Sequence, residues 1–96
     1  MTGIPQITIN KLPPEVQITI NLISQGGPFP HPKDGSVFKN LELLLPPQPI
    51  GYYREYTVKT PGAIDRGSRR LIIGQNGEMY YTANHYNSFQ EVIYKP

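Results

Sequence analysis

Four side chains in the second half of this 96-residue sequence have the types needed to move protons and hold anions: Glu55, Arg66, Arg70 and His85. The run GYYREYTVKT over residues 51–60 alternates as a strand does. A period of two places Tyr53, Glu55 and Thr57 on one face, and Tyr52, Arg54, Tyr56 and Val58 on the other. In the next β-rich segment Arg66, Ser68 and Arg70 share a face, and Arg69 points the opposite way. Pairing of the two strands would gather a carboxylate and two guanidinium groups. An ordinary cross-strand ion-pair cluster on a solvated face accounts for that pattern equally well. His85 adds a second reading, because it follows the last hairpin strand in TANHYNSF, where the chain leaves the sheet and a loop can turn back over its face. A carboxylate, a histidine and two arginines suffice for metal-free phosphodiester transesterification. A base takes the ribose 2′-OH proton, an acid protonates the departing 5′-oxygen, and fork-shaped guanidinium donors match the charge on a phosphorane. Periodicity alone leaves both readings open.

The elements that would position these groups are legible in outline. Residues 1–11 hold a short edge strand around Gln6–Asn10. Pro13 and Pro14 suit a helix entrance, Glu15 favours the positive end of the helix dipole, and Gly26-Gly27 supply a stop. Between them Val16, Ile20 and Ile23 fit a helix face, although Val16, Ile18, Ile20 and Leu22 fit a strand too. The capping signals favour the helix. Residues 26–36 read as loop, and Val37–Leu45 forms a second apolar stretch ended by Pro46-Pro47. Asn76-Gly77 between SRRLIIG and EMYYT signals a hairpin, and SFQEVIY from Ser88 to Tyr94 is a last strand. The expected fold class is α+β: one N-terminal helix packed on an antiparallel sheet of about four to five strands, in a single domain over residues 1–96.

Composition sets bounds. With no cysteine, neither a disulfide nor a thiolate metal site can support the core. The formal charge of +2 is compatible with a polyanionic partner without demanding one. No apolar run approaches the roughly 20 residues that span a bilayer, so no membrane partner is expected. No basic-then-apolar leader opens the sequence, which leaves a removed leader, a module of a larger protein or a cytoplasmic location open.

Five blocks then carry a family resemblance: LPPE (residues 12–15), DGSVFKNLE (34–42), GYYREYTVKTPG (51–62), RGSRR (66–70) and YYTANHYNSF (80–89). In content and order they resemble the guanyl-specific microbial ribonucleases of the barnase-type superfamily, above all its small secreted members. The resemblance implies cleavage of single-stranded RNA on the 3′ side of guanosine, through a 2′,3′-cyclic phosphate hydrolysed to a 3′-phosphate, with no cofactor or metal. It implies Glu55 as general base and His85 as general acid, with Arg66, Arg70 and Tyr86 on the phosphate. The guanine-recognition loop falls on Val37, Phe38, Lys39, Asn40, Leu41 and Glu42. There Glu42 would accept from guanine N1–H and the amino group, backbone N–H groups would meet O6 and N7, and Phe38 would stack. Adenine would leave Glu42 partly unpaired, which is costly in a desolvated site.

The chain departs from the pattern at Asn84, where relatives commonly have Asp, at Lys39, and in lacking cysteine. His31, Arg69, Glu78 and Asp65 read as surface or turn residues, with Asp65 a candidate partner for an arginine. Tyr52, Tyr56 and Tyr81 read as packing residues, and Pro46, Pro47 or Pro49 as candidates for a cis bond. The alternative to an enzyme is a catalytically silent RNA- or guanylate-binding module on the same fold. In context, a monomeric secreted enzyme or the toxin domain of a larger protein is expected, held in check by an acidic barstar-like protein inhibitor.

Overall fold

The computed structural model describes residues 3–94. Strand β1 (Gln6–Thr8) runs into a 3-10 turn (Ile9–Lys11) and then helix α1 (Pro14–Gln25), followed by β2 (Val37–Phe38), β3 (Tyr53–Thr57), β4 (Arg70–Gly74), β5 (Met79–Thr82) and β6 (Gln90–Ile93). Together they form a six-stranded sheet in the order β1-β6-β5-β4-β3-β2. All neighbours are antiparallel except β1, which pairs with β6 in parallel.

Helix α1 forms where its caps dictate. Pro14 occupies the first turn, where its missing N–H costs nothing, and Glu15 sits near the positive end of the dipole. Gly26 closes the helix at φ 79°, a left-handed conformation that favours glycine, and Gly27 N–H returns to Leu22 O at 2.9 Å. The buried face carries Val16 and Thr19, with Ile20 and Ile23 packed against Val58, Leu71, Tyr81 and Val92 of the sheet. Thr19 Oγ1 donates to Thr57 O at 3.0 Å, which pins the helix to the C-terminal end of β3, where Thr57 pairs with Arg70 at the start of β4.

The opposite sheet face has its own apolar cluster of Leu45, Tyr53, Ile72, Tyr80 and Phe89. Loops rather than a helix cover it: residues 39–50 contribute Leu45 and residues 83–89 contribute Phe89. Register sets Glu55 opposite Ile72 and Thr57 opposite Arg70, so one row of this face reads Thr57, Arg70, Thr82. The polar row lies beside the loop-covered cluster, and the loop over residues 83–89 reaches it through bonds of Asn84 and Tyr86 to Thr82.

Several expectations change here. The sheet has six strands because Val37–Phe38 adds a two-residue edge strand. The remaining apolar stretch to Leu45 is loop, since Asn40 and Leu43 adopt φ 56° and 55°, outside any strand. The N-terminal strand stops at Thr8 rather than Asn10. Arg66 and Ser68 lie in the loop before β4, not on a strand face. Among the described residues the cis bond is Gly27–Pro28, not one at Pro46, Pro47 or Pro49.

Candidate active site

Glu55 stands on β3 with Arg66 and Arg70 around it. Arg66 Nη2 donates to Glu55 Oε1 at 2.9 Å, and Arg66 Nε donates to Thr57 Oγ1 at 2.8 Å. The Thr57 hydroxyl passes its own hydrogen to Asp34 Oδ1 at 2.8 Å, and Thr57 N–H meets the same oxygen at 2.7 Å. Asp34 is almost fully buried and lies 3.7 Å from Arg66 Nη2. Asp34 therefore fixes Thr57, which orients Arg66 toward Glu55. Arg66 thus pairs closely with Glu55 and more loosely with Asp34, and not with Asp65, which instead accepts from Gly67 N–H at 2.8 Å. A DG turn signals a loop, and nothing in the sequence separates such a buried brace from an ordinary turn aspartate.

Arg70 is 3% exposed. Its Nη1 donates to Gly67 O at 3.0 Å and Arg69 O at 2.8 Å, which holds the guanidinium against the sheet. Its Nε is 4.0 Å from Glu55 Oε1 and has no hydrogen-bond partner. A buried cationic N–H with no partner is costly unless an anion completes it, and a phosphate oxygen would do so. Arg69 points elsewhere and pairs with Glu15 at 3.5 Å.

His85 and Tyr86 occupy a tight loop after β5. Both have left-handed backbones, φ 54° and 72°, an uncommon state for such side chains that the surroundings must enforce. Thr82 Oγ1 accepts from Asn84 N–H at 3.3 Å and Tyr86 N–H at 3.1 Å, and donates to Asn84 Oδ1 at 2.9 Å. Asn84 also binds Ser88 through both its oxygen and its amide. His85 N–H reaches Ser68 O at 2.9 Å, so the loop is tied to the segment carrying the arginines. Asn84 thus acts as the frame of this loop, and its amide N–H on Ser88 is a donation that an ionised aspartate could not make.

Tyr86 joins the two halves of the site. Its ring centroid is 4.9 Å from His85 and 4.8 Å from Phe38. Its hydroxyl is buried without a well-formed hydrogen bond, yet lies near enough to Glu55 to feel its charge. Burial, and then the Glu55 carboxylate, push the phenol up to about 12. It remains a neutral donor at working pH. Tyr53 is likewise raised to about 12, first by burial, and its hydroxyl donates to Pro46 O at 2.6 Å.

Those two phenols predict an alkaline weakness. The folded protein holds protons at Tyr53 and Tyr86 up to about pH 12, whereas the unfolded chain releases them near 10.0. Their contribution to stability is complete below the unfolded value and is lost as pH rises through the folded one. Burial also raises Tyr80 and Tyr81, and the hydrogen bond to Glu78 raises Tyr52. Tyrosinate absorbance titrated alongside denaturant unfolding should therefore show several late phenols, Tyr53 and Tyr86 among them, and stability falling across that window. Complete ionisation of the folded protein near the ordinary value would contradict it.

A cleft of about 390 Å³ opens beside this cluster, lined by Phe38, Lys39, Asn40, Leu41, Glu42 and His85 among others. That volume suits one small planar ligand. Asn40 is buried and serves the loop rather than the cleft: Nδ2 donates to Leu45 O and Oδ1 accepts from Leu45 N–H, both at 3.1 Å. Glu42 and Lys39 are exposed at the rim, and Val37 lies outside the cleft wall, paired in β2 with Arg54. The fold thus brings Glu55, Arg66, Arg70, Tyr86 and His85 into one neighbourhood, with the loop over residues 38–42 along its side.

A protein-family model described as ribonuclease matches residues 2–93. The chain is 51% identical over 92 residues to guanyl-specific ribonuclease St of Saccharopolyspora erythraea, covering 96% of this chain and 91% of that protein. It is 54% identical over 84 residues to guanyl-specific ribonuclease Sa of Kitasatospora aureofaciens, covering 86% and 88% respectively. A crystal structure of ribonuclease Sa2 with guanosine-2′-cyclophosphate superposes with a TM-score of 0.92 at 44% identity, over 98% of this chain and 100% of that one.

Proposed function

The chain belongs to the guanyl-specific ribonuclease family of the Sa and St type, and from that premise we propose how its own residues carry out the reaction. It is a guanyl-specific ribonuclease working through cyclic phosphate intermediates. The observation that carries the residue assignment is the placement of Glu55 between two guanidinium groups, with Tyr86 packed between that carboxylate and His85.

Guanosine enters the cleft beside residues 38–42. Glu42 accepts from N1–H and the exocyclic amine, backbone N–H groups of the loop meet O6 and N7, and Phe38 offers a ring face. Reading a base by edge and face requires an unstacked, single-stranded substrate. The scissile phosphate takes the unmet Nε of Arg70 and shares Arg66. Glu55 removes the 2′-OH proton, O2′ bonds to phosphorus, and the bond from phosphorus to O5′ breaks as His85 gives that oxygen a proton. The guanidinium groups and the neutral Tyr86 hydroxyl stabilise the equatorial oxygens of the phosphorane. In the second step the roles reverse: His85 takes a proton from water as its oxygen bonds to phosphorus, and the bond from phosphorus to O2′ breaks as Glu55 returns a proton to O2′.

Replacing Glu42 by Ala tests the guanine assignment. Loss of a charge-assisted pair of hydrogen bonds should lower kcat/KM on the dinucleotide GpN by about 10–100-fold, with cleavage of ApN changed little. An equal loss on both substrates would place Glu42 in the chemistry or the fold instead.

The silent-module alternative is not favoured, since the chain keeps both residues read as base and acid, Glu55 and His85. An enzyme that cuts any accessible single strand endangers its producer. The reading therefore includes release as a free enzyme or toxin domain, and an acidic protein inhibitor that covers the cationic cluster.

A further inference from the structure

We propose that a second pocket, sharing Arg66 with the catalytic cluster, is a subsite for another phosphodiester of the same RNA strand. The proposal rests on the ribonuclease reading above. The pocket measures about 520 Å³, and its polar wall is His31, Thr57, Lys59, Thr60, Asp65 and Arg66. It is separate from the guanine cleft, with which it shares no residue.

Strand β3 shows how the two relate. Its Tyr53 end pairs with Phe38, where the guanine loop begins. Its Thr57 end leads into the residues that build the second pocket, and Glu55 lies between. A strand of RNA that places guanine at one end of β3 and its phosphate at Arg66 and Arg70 is thereby led toward the other end.

The charges there are suited to a phosphate. Lys59 is exposed and, among the described residues, makes no ion pair, so its ammonium group is available. Arg66 already spends one Nη2 hydrogen bond on Glu55 and its Nε on Thr57, which leaves guanidinium donors over. Both carboxylates nearby are occupied. Asp65 is turned onto Gly67 N–H, and Asp34 is bound by Thr57 and by His31 N–H at 3.2 Å. His31 also lines the pocket, and an imidazole carries at least one N–H donor whichever nitrogen holds the proton. Thr60 Oγ1 is buried in that wall with no hydrogen-bond partner. Pro30 and the fully exposed Ile64 give the rim an apolar edge against which a sugar or base can rest.

One chemistry has two sources, the phosphate preceding the guanosine or the one following the next nucleoside. Steady-state cleavage of GpN, pGpN and GpNp in EDTA separates them. The wild type should show a kcat/KM on one phosphorylated substrate about five- to tenfold above that on GpN, expressed in KM. The arm that carries the gain identifies the phosphate. The double variant His31→Ala, Lys59→Ala should lose the gain while cleaving GpN and hydrolysing guanosine 2′,3′-cyclic phosphate at wild-type rates. Lys59→Glu should make the favoured phosphorylated substrate poorer than GpN. Absence of a gain in both arms, or an undiminished gain in the double variant, would overturn the subsite while normal GpN cleavage leaves the active-site reading standing. Failure of the wild type to cleave GpN would overturn both.

Discussion

Replacing Glu55 by Gln should lower the rate of GpN cleavage by about 10²–10⁴-fold, with folding and KM nearly unchanged. Gln keeps the shape and the oxygen that accepts from Arg66 Nη2 at 2.9 Å. It removes the lone pair that takes the 2′-OH proton. Arg66 retains Thr57 at 2.8 Å and Asp34 at 3.7 Å, so the guanidinium stays in place to bind phosphate. Loss of a negative charge beside two arginines favours an anionic ligand, and guanosine 3′-phosphate should bind the variant at least as tightly as the parent. Steady-state kinetics with a ligand titration checks this. Near-normal turnover would reduce Glu55 to a member of a structural ion-pair cluster.

The second large effect belongs to His85. Its side chain is exposed, and its loop is held by the Thr82, Asn84 and Ser88 bonds and by its own N–H on Ser68. Ala at this position should therefore leave the backbone standing. Turnover of GpN should fall by about 10²–10⁴-fold, because a nucleoside 5′-oxygen is a poor leaving group without a proton. A guanosine 3′-phosphate ester of nitrophenol leaves well unprotonated, and His85→Ala should cost it less than about tenfold. An equal loss on both esters would show that the imidazole does not act on the leaving group. Glu55→Gln gives the complementary result: the attacking hydroxyl is the same in both esters, so that variant should lose heavily on each.

Much of this arrangement was legible in the residues, and the reasons differ by element. Helix α1 was readable from Pro13-Pro14 and Gly26-Gly27, because both stops act through backbone geometry alone. Asn76-Gly77 fixed the β4–β5 hairpin for the same reason. A period of two placed Glu55 with Thr57 and Arg70 on one face, and the register agrees. Arg66 reached the cluster by another route. It lies in the loop before β4 and is drawn in by Thr57 and Glu55, so parity counting gave the right neighbour by the wrong path. The part played by Asp34 depends on contacts 23 residues apart in sequence, which no local pattern encodes. The Val37–Leu45 segment read as a second apolar stretch on its content alone. Asn40 overrides that content by bonding Leu45 on both sides of its amide and turning the chain. The recognition loop came from family resemblance and not from local pattern.

Glu55 and His85 as opposed base and acid are the centre of the account, and the pH dependence of kcat/KM on GpN tests them most directly. Measured in EDTA, the wild type should give a bell, its acidic limb reporting the base and its alkaline limb the acid. Glu55→Gln should lose the acidic limb and His85→Ala the alkaline one. A bell that keeps both limbs in either variant, or activity abolished by the chelator, would contradict it.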